Sequence, residues 1–222
     1  MTPSEFVNTL RQVRMESVFN PYSETCPLFD RSNAAEIRTA NLLHLLEESK
    51  RHGVHSIWVG RDLGYRGGRR TGVPLTDEIH LDTVGKLCGV QLVQATAGPP
   101  VGERTATIIW QVLSLVTQRV FLWNVFPLHP HEEGQPLSNR CHTRREREQC
   151  SQFLISLIEM LRPQEIVAIG RDAEQALINL NVPCQKVRHP SYGGQTEFIE
   201  KISDLYKVTA SPTRQTLFSH LD

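Results

Sequence analysis

The chain alternates short, largely apolar runs with longer stretches whose apolar residues recur every three or four positions. Residues 57–59, 120–126 and 165–170 are runs of the first kind, bounded by glycine, proline or polar residues. Such runs predict strands buried on both faces, as in a parallel sheet. Residues 185–188 predict a fourth strand, and 91–95 a further short one. Between them the helical period predicts helices over 5–15, 33–52, 76–88, 104–117, 172–179 and 196–207. Another opens at Thr143-Arg144-Arg145-Glu146, which has the spacing of a capping box, and buries Cys150, Phe153, Leu154, Leu157, Ile158 and Leu161. Strands alternating with helices predict an α/β fold, a three-layer α/β/α sandwich around a short, mainly parallel four-stranded sheet. One domain over 1–222 is expected, with N-terminal helices in 1–55 and a flexible tail over 208–222.

Charge changes this picture only locally. The 24 lysines and arginines balance 24 aspartates and glutamates, so no global field draws the chain to nucleic acid or membrane. Any affinity for DNA must come from a patch, and Arg61, Arg66, Arg69 and Arg70 form the densest one. The five cysteines, Cys26, Cys88, Cys141, Cys150 and Cys184, contain no Cys-x-x-Cys pair. That pattern argues against a disulfide framework or zinc ribbon and fits a reducing cytosol. An N-terminus carrying Glu5 and Arg11 reads as neither signal peptide nor membrane span, so a soluble, cytoplasmic protein is expected.

The candidate chemistry lies just after strands. The first strand runs into a glycine-rich loop, Gly60 to Thr76, carrying Asp62 and the four arginines. Loops at the carboxyl ends of parallel strands are where open α/β sheets bind ligands. The loop therefore suits an anionic polymer or phosphate, or else is a solvated turn whose glycines supply positive φ. Asn124 and His189 also follow strands, so topology would gather three polar side chains at one sheet edge. Taken singly they also fit a loop cap, a turn former and a core histidine. His129, His131, Glu132, Glu133 and His142 have poor spacing for a metal and read as a solvated loop.

At these segments the chain resembles the uracil-DNA glycosylase superfamily. The matching motifs are Gly60-Arg61-Asp62-Leu63-Gly64 with Thr71-Gly72-Val73-Pro74-Leu75, then Leu122-Trp123-Asn124-Val125, then His189-Pro190-Ser191. The resemblance extends from about Ser56 to Ser203 and includes the segment from Asn139-Arg140-Cys141-His142-Thr143 to Cys150. It implies a monofunctional glycosylase that removes uracil or a related deaminated base from DNA, as a monomer with no metal or other cofactor. Asp62 would stabilise positive charge on the sugar and position water. His189 would donate to the departing base, and the Asn124 amide would read the base edge. Gly60, Gly64, Tyr65 and Leu75 would line the base pocket. Arg66, Arg69, Arg70 and Ser191 would grip phosphates, and Tyr192 would wedge into the opened stack.

Four positions depart from the family pattern. Leu63 replaces the usual proline, Leu75 the stacking aromatic, and Arg61 the glutamate or glutamine of some branches. Gly64 stands where the most uracil-selective branch has a tyrosine beside the base's C5, which predicts a pocket tolerant of 5-substituents. The cysteines do not have the spacing of the iron–sulfur branches. Leu63 and Leu75 motivate a second reading, a DNA- or nucleotide-binding member of the fold without excision activity. A small-molecule α/β hydrolase is more distant, because no Gly-x-Ser-x-Gly elbow occurs.

Overall fold

A computed structural model describes residues 1–191 and 193–208. In chain order the elements are α1 (Pro3–Arg11), β1 (Val18–Phe19), α2 (Ala34–His52), β2 (Ser56–Gly60), α3 (Gly68–Thr71), α4 (Leu81–Cys88) and α5 (Arg104–Leu113). They continue as β3 (Val120–Asn124), β4 (His129–Pro130), α6 (Arg144–Leu161), β5 (Glu165–Ile169), α7 (Arg171–Asn179), β6 (Gln185–Val187) and α8 (Gln195–Tyr206). The main sheet has four strands in the order β3-β2-β5-β6, and every neighbouring pair is parallel.

Side-chain alternation places helices on both faces. Val59 pairs with Trp123, and Trp58 with Leu122, so the two tryptophans point to opposite sides. Trp123 meets Phe6 of α1, which also touches Phe153 of α6. Trp58 meets Phe198 and Tyr206 of α8, and its indole N–H donates to the Tyr206 hydroxyl at 2.7 Å. This is the expected α/β/α sandwich. No helix among the described residues is long and apolar enough to cross a membrane.

Five local expectations change, the first being that α1 spans Pro3–Arg11 and not 5–15. Residues 91–95 form no strand: the Asn41 amide of α2 bonds both the N–H and the C=O of Val93, taking the place of a ladder partner. Helix α4 begins only at Leu81, because the Asp77 carboxylate accepts the His80 N–H and turns the chain there. Helix α5 stops at Leu113, short of 117. The antiparallel β1–β4 pair is two residues long, too short to leave a period in the sequence. The expected tail beyond Val208 lies outside the described residues.

The glycine loop is held from behind by the N-terminal region. Arg38 of α2 donates to the Arg70 carbonyl at 3.2 Å, Asn41 to the Thr71 carbonyl at 3.1 Å, and the Tyr22 hydroxyl to the Gly72 carbonyl at 3.1 Å. Gly72 has φ +72°, and a Cβ there would stand 2.6 Å from the Arg38 Cβ. Only glycine allows that approach.

Candidate active site

In-register pairing of β2 and β3 sets Gly60 opposite Asn124 at the carboxyl edge of the sheet. A Cβ on Gly60 would lie 2.5 Å from Asn124 Oδ1 and 2.8 Å from Leu75 Cδ2, so glycine lets the three groups converge. Asn124 is fully buried, yet neither Oδ1 nor Nδ2 has a partner among the described residues. Each such orphan costs about 1–3 kcal/mol, a penalty tolerated where a ligand supplies the missing donor and acceptor. Leu75 itself sits at φ +55°, in the left-handed region that non-glycine residues seldom adopt.

Asp62 leaves the same strand end and is clamped at both oxygens. Oδ2 accepts from Arg61 Nε at 2.6 Å, and Oδ1 forms a short hydrogen bond with His142 Nδ1. The side chains of Asp62 and His142 are only 6% and 5% exposed. Arg61 also reaches Asp172 of α7 at 3.2 Å, tying the loop after β2 to the helix after β5. Of the residues expected in a solvated loop, Glu132 and Glu133 are exposed, but His142 is packed into the site. The Tyr65 N–H donates to Asn139, Arg140 pairs with Glu146, and the His142 ring packs 5.5 Å from Phe126. His129 is likewise buried, its Nε2 bonded to the Ser138 carbonyl. Burial, with Arg69 beside it, lowers its pKa to about 3. His142 escapes sequence reasoning because its partner is distant in the chain. The one local sign is its place just before the capping box.

His189 follows β6. The Ser191 N–H donates to its Nδ1 at 3.2 Å, and the Ser191 hydroxyl lies 2.7 Å from the same atom. Nδ1 is thus an acceptor, which assigns the proton of the neutral ring to Nε2. Burial lowers the pKa of His189, the Arg61 charge lowers it further, and Asp172 opposes both. A ring held below its ordinary value is neutral near pH 7 and still offers Nε2–H as a donor. Gly170, at φ +91°, makes room: a Cβ there would be 3.2 Å from the His189 Cβ.

The other expected residues divide. Arg66 is exposed and Tyr65 half-buried beside the site. Arg69 and Arg70 are buried and cannot grip DNA. The Arg69 guanidinium stacks 4.1 Å from the Phe19 ring, whereas Arg70 stacks on Phe29 and pairs with Glu78 at 3.0 Å. Exposed arginines also stand in the first turns of two helices, Arg145 in α6 and Arg171 in α7. Ser191 serves His189, and Tyr192 lies outside the described residues. Gly64 does not face empty space: a Cβ there would meet Glu103 Oε1 at 3.0 Å.

A parallel α/β sheet whose strand ends gather a clamped carboxylate, an unpartnered amide and a neutral imidazole defines a polar ligand site of the kind such sheets carry at their carboxyl edge. The chain belongs to the uracil DNA glycosylase superfamily, whose family model matches residues 54–217. Its fold is similar to the crystal structure of wild-type Pedobacter heparinus SMUG2, with TM-score 0.62 and 14% identity over 93% of this chain and 97% of that one. No curated protein matches the chain.

Proposed function

We propose that the protein is a monofunctional DNA glycosylase that hydrolyses the N-glycosidic bond of uracil, or a related deaminated base, and leaves an abasic site. The observation that carries this reading is the buried amide of Asn124 with both polar atoms unpartnered. A flipped base presents the matching pair of groups along one edge. As the C1′–N bond lengthens, Asp62 stabilises the positive sugar and His189 Nε2–H stabilises the negative charge on the base. A neutral His189 suits this work, since it donates a hydrogen bond without needing to lose a proton. Arg66, Arg145 and Arg171 hold the phosphates, offsetting the few kcal/mol that extrusion of the base costs. The enzyme acts on DNA as a monomer in the cytosol.

The test is a panel of labelled oligonucleotides carrying uracil, hypoxanthine, xanthine or thymine opposite each partner, with alkali revealing abasic sites. At least one deaminated base should be excised, and excision should persist in chelator. Asp62→Asn and His189→Ala should each slow single-turnover excision by about a hundredfold or more, a loss of roughly 2.7 kcal/mol, with DNA affinity little changed. Tight binding with no excision of any base at high protein concentration would instead establish the binding-only reading that Leu63 and Leu75 motivate.

A further inference from the structure

We propose that His142 is the general base of this hydrolysis, with Asp62 as the group that orients it. The inference rests on the glycosylase reading above and adds a residue to it. Both oxygens of Asp62 already carry a donor, Arg61 on one and His142 on the other. His142 spends Nδ1 on that contact, and its Nε2 has no partner among the described residues. Unlike the atoms of the Asn124 amide, Nε2 is not enclosed, so a water can dock there. A nearly buried carboxylate fixing one nitrogen of an imidazole and leaving the other open is the arrangement that orients histidine bases elsewhere. The ring is fixed from two further directions, by Phe126 at 5.5 Å and by the capped start of α6 at Thr143.

In the step proposed, Nε2 takes a proton from water while the water oxygen bonds to C1′ of the deoxyribose. The C1′–N bond breaks, and its electron pair leaves on the base, where His189 Nε2–H donates to the developing anion. The imidazolium formed on His142 faces the Asp62 carboxylate, and its proton then passes to bulk water. The charged and titratable groups on the elements packed here are Arg61, Asp62 and Tyr65 after β2, Asp172 of α7, Arg140, exposed Cys141, Arg144, Arg145 and Glu146 at the start of α6, and His189 after β6.

The experiment is single-turnover excision from a single-stranded oligonucleotide carrying the base that the panel above finds excised, where duplex opening does not limit the rate. His142→Gln should be slower than wild type by about a hundredfold, within the range of general-base catalysis, with an unchanged Kd for DNA. Wild type should lose rate on acidification, and His142→Gln should not. Added imidazole should raise the rate of folded His142→Ala at least about tenfold and leave Asp62→Asn unmoved. A purely structural role for His142 would not move the pH profile or respond to imidazole. Excision by His142→Gln within about threefold of wild type, or an acid limb that survives the substitution, overturns the assignment. A wild type inactive on every base of the panel sinks the glycosylase reading and this assignment together; an active wild type with indifferent variants sinks the assignment alone.

Discussion

Glu103 changes what the pocket wall beside Asp62 is made of. As N-cap of α5 it donates its N–H to Asp77 at 2.7 Å, and its side chain lies along the glycine loop without capping its own helix. Carbons added to Gly64 and Gly67 would both collide with its carboxylate, at 3.0 and 2.0 Å. Burial and the Asp77 charge raise the pKa of Glu103, and Arg66 pulls the other way. A polar group therefore stands beside Gly64 where the sequence suggests a hole. Gly64→Tyr alone should be destabilising, because its ring needs the volume Glu103 fills. Combined with Glu103→Ala it should fold and excise 5-substituted uracils less well, relative to uracil, than wild type does. Relative rates on single-stranded DNA measure this; an unchanged preference in the double variant would place the 5-position elsewhere in the pocket. Asp62, Asn124 and His189 were legible because each lies at or within two residues of a strand's carboxyl end, and topology alone gathers such positions. Glu103 and His142 were not, since their significance depends on partners from distant elements. Arg69 and Arg70 misled for another reason: arginine in a glycine-rich loop is usually exposed, and nothing local announces Phe19 and Phe29 waiting to cover them.

Helix α6 joins stability to the site. Its capping box is complete: the Thr143 hydroxyl accepts the Glu146 N–H at 3.2 Å and the Glu146 carboxylate accepts the Thr143 N–H at 2.6 Å. Glu146 also takes Arg140, whose other donors reach the His131 and Ser17 carbonyls. The start of α6 thereby fixes residues 139–142 against β4 and the chain before β1. Thr143→Ala should lower stability by about 1 kcal/mol, seen as a smaller urea midpoint at unchanged slope. It should also slow excision under conditions where the protein remains folded, because His142 is the residue next to the cap. A stability loss with an unaltered rate would show that the cap does not position His142. At this scale the sequence was most readable where periodicity runs long or a cap is explicit, as in α2 and α6. It was least readable over 76–80 and 91–95, where Asp77 and Asn41 side chains replace backbone partners.

At the scale of the molecule, electrical neutrality and the proposed DNA binding are reconciled by placement. Arg66, Arg145 and Arg171 lie at the carboxyl edge of the sheet, and none makes an ion pair among the described residues. Replacing all three by alanine should weaken binding to every sequence alike and reduce the slope of log K against log salt by about two to three. A slope equal to that of wild type would place the phosphate contacts elsewhere. The hold of α2 on the catalytic loop has a further consequence, for where this enzyme can be cut. The recognisable family match begins at residue 54, and every catalytic candidate lies beyond it. Yet Tyr22, Arg38 and Asn41 secure the loop backbone, and Phe6, Val7, Leu10, Leu42 and Leu46 are buried in the core. Those five apolar side chains contribute about 1.5–3 kcal/mol each, comparable in sum to the whole net stability of a domain, roughly 5–15 kcal/mol. A chain shortened to begin at Val54 should thus retain every motif and neither fold cooperatively nor excise, as circular dichroism and the oligonucleotide assay would reveal. Supplying residues 1–53 as a separate peptide should restore part of both. The portion that marks ancestry and the portion that can be inherited as a working unit are different lengths of the same polypeptide.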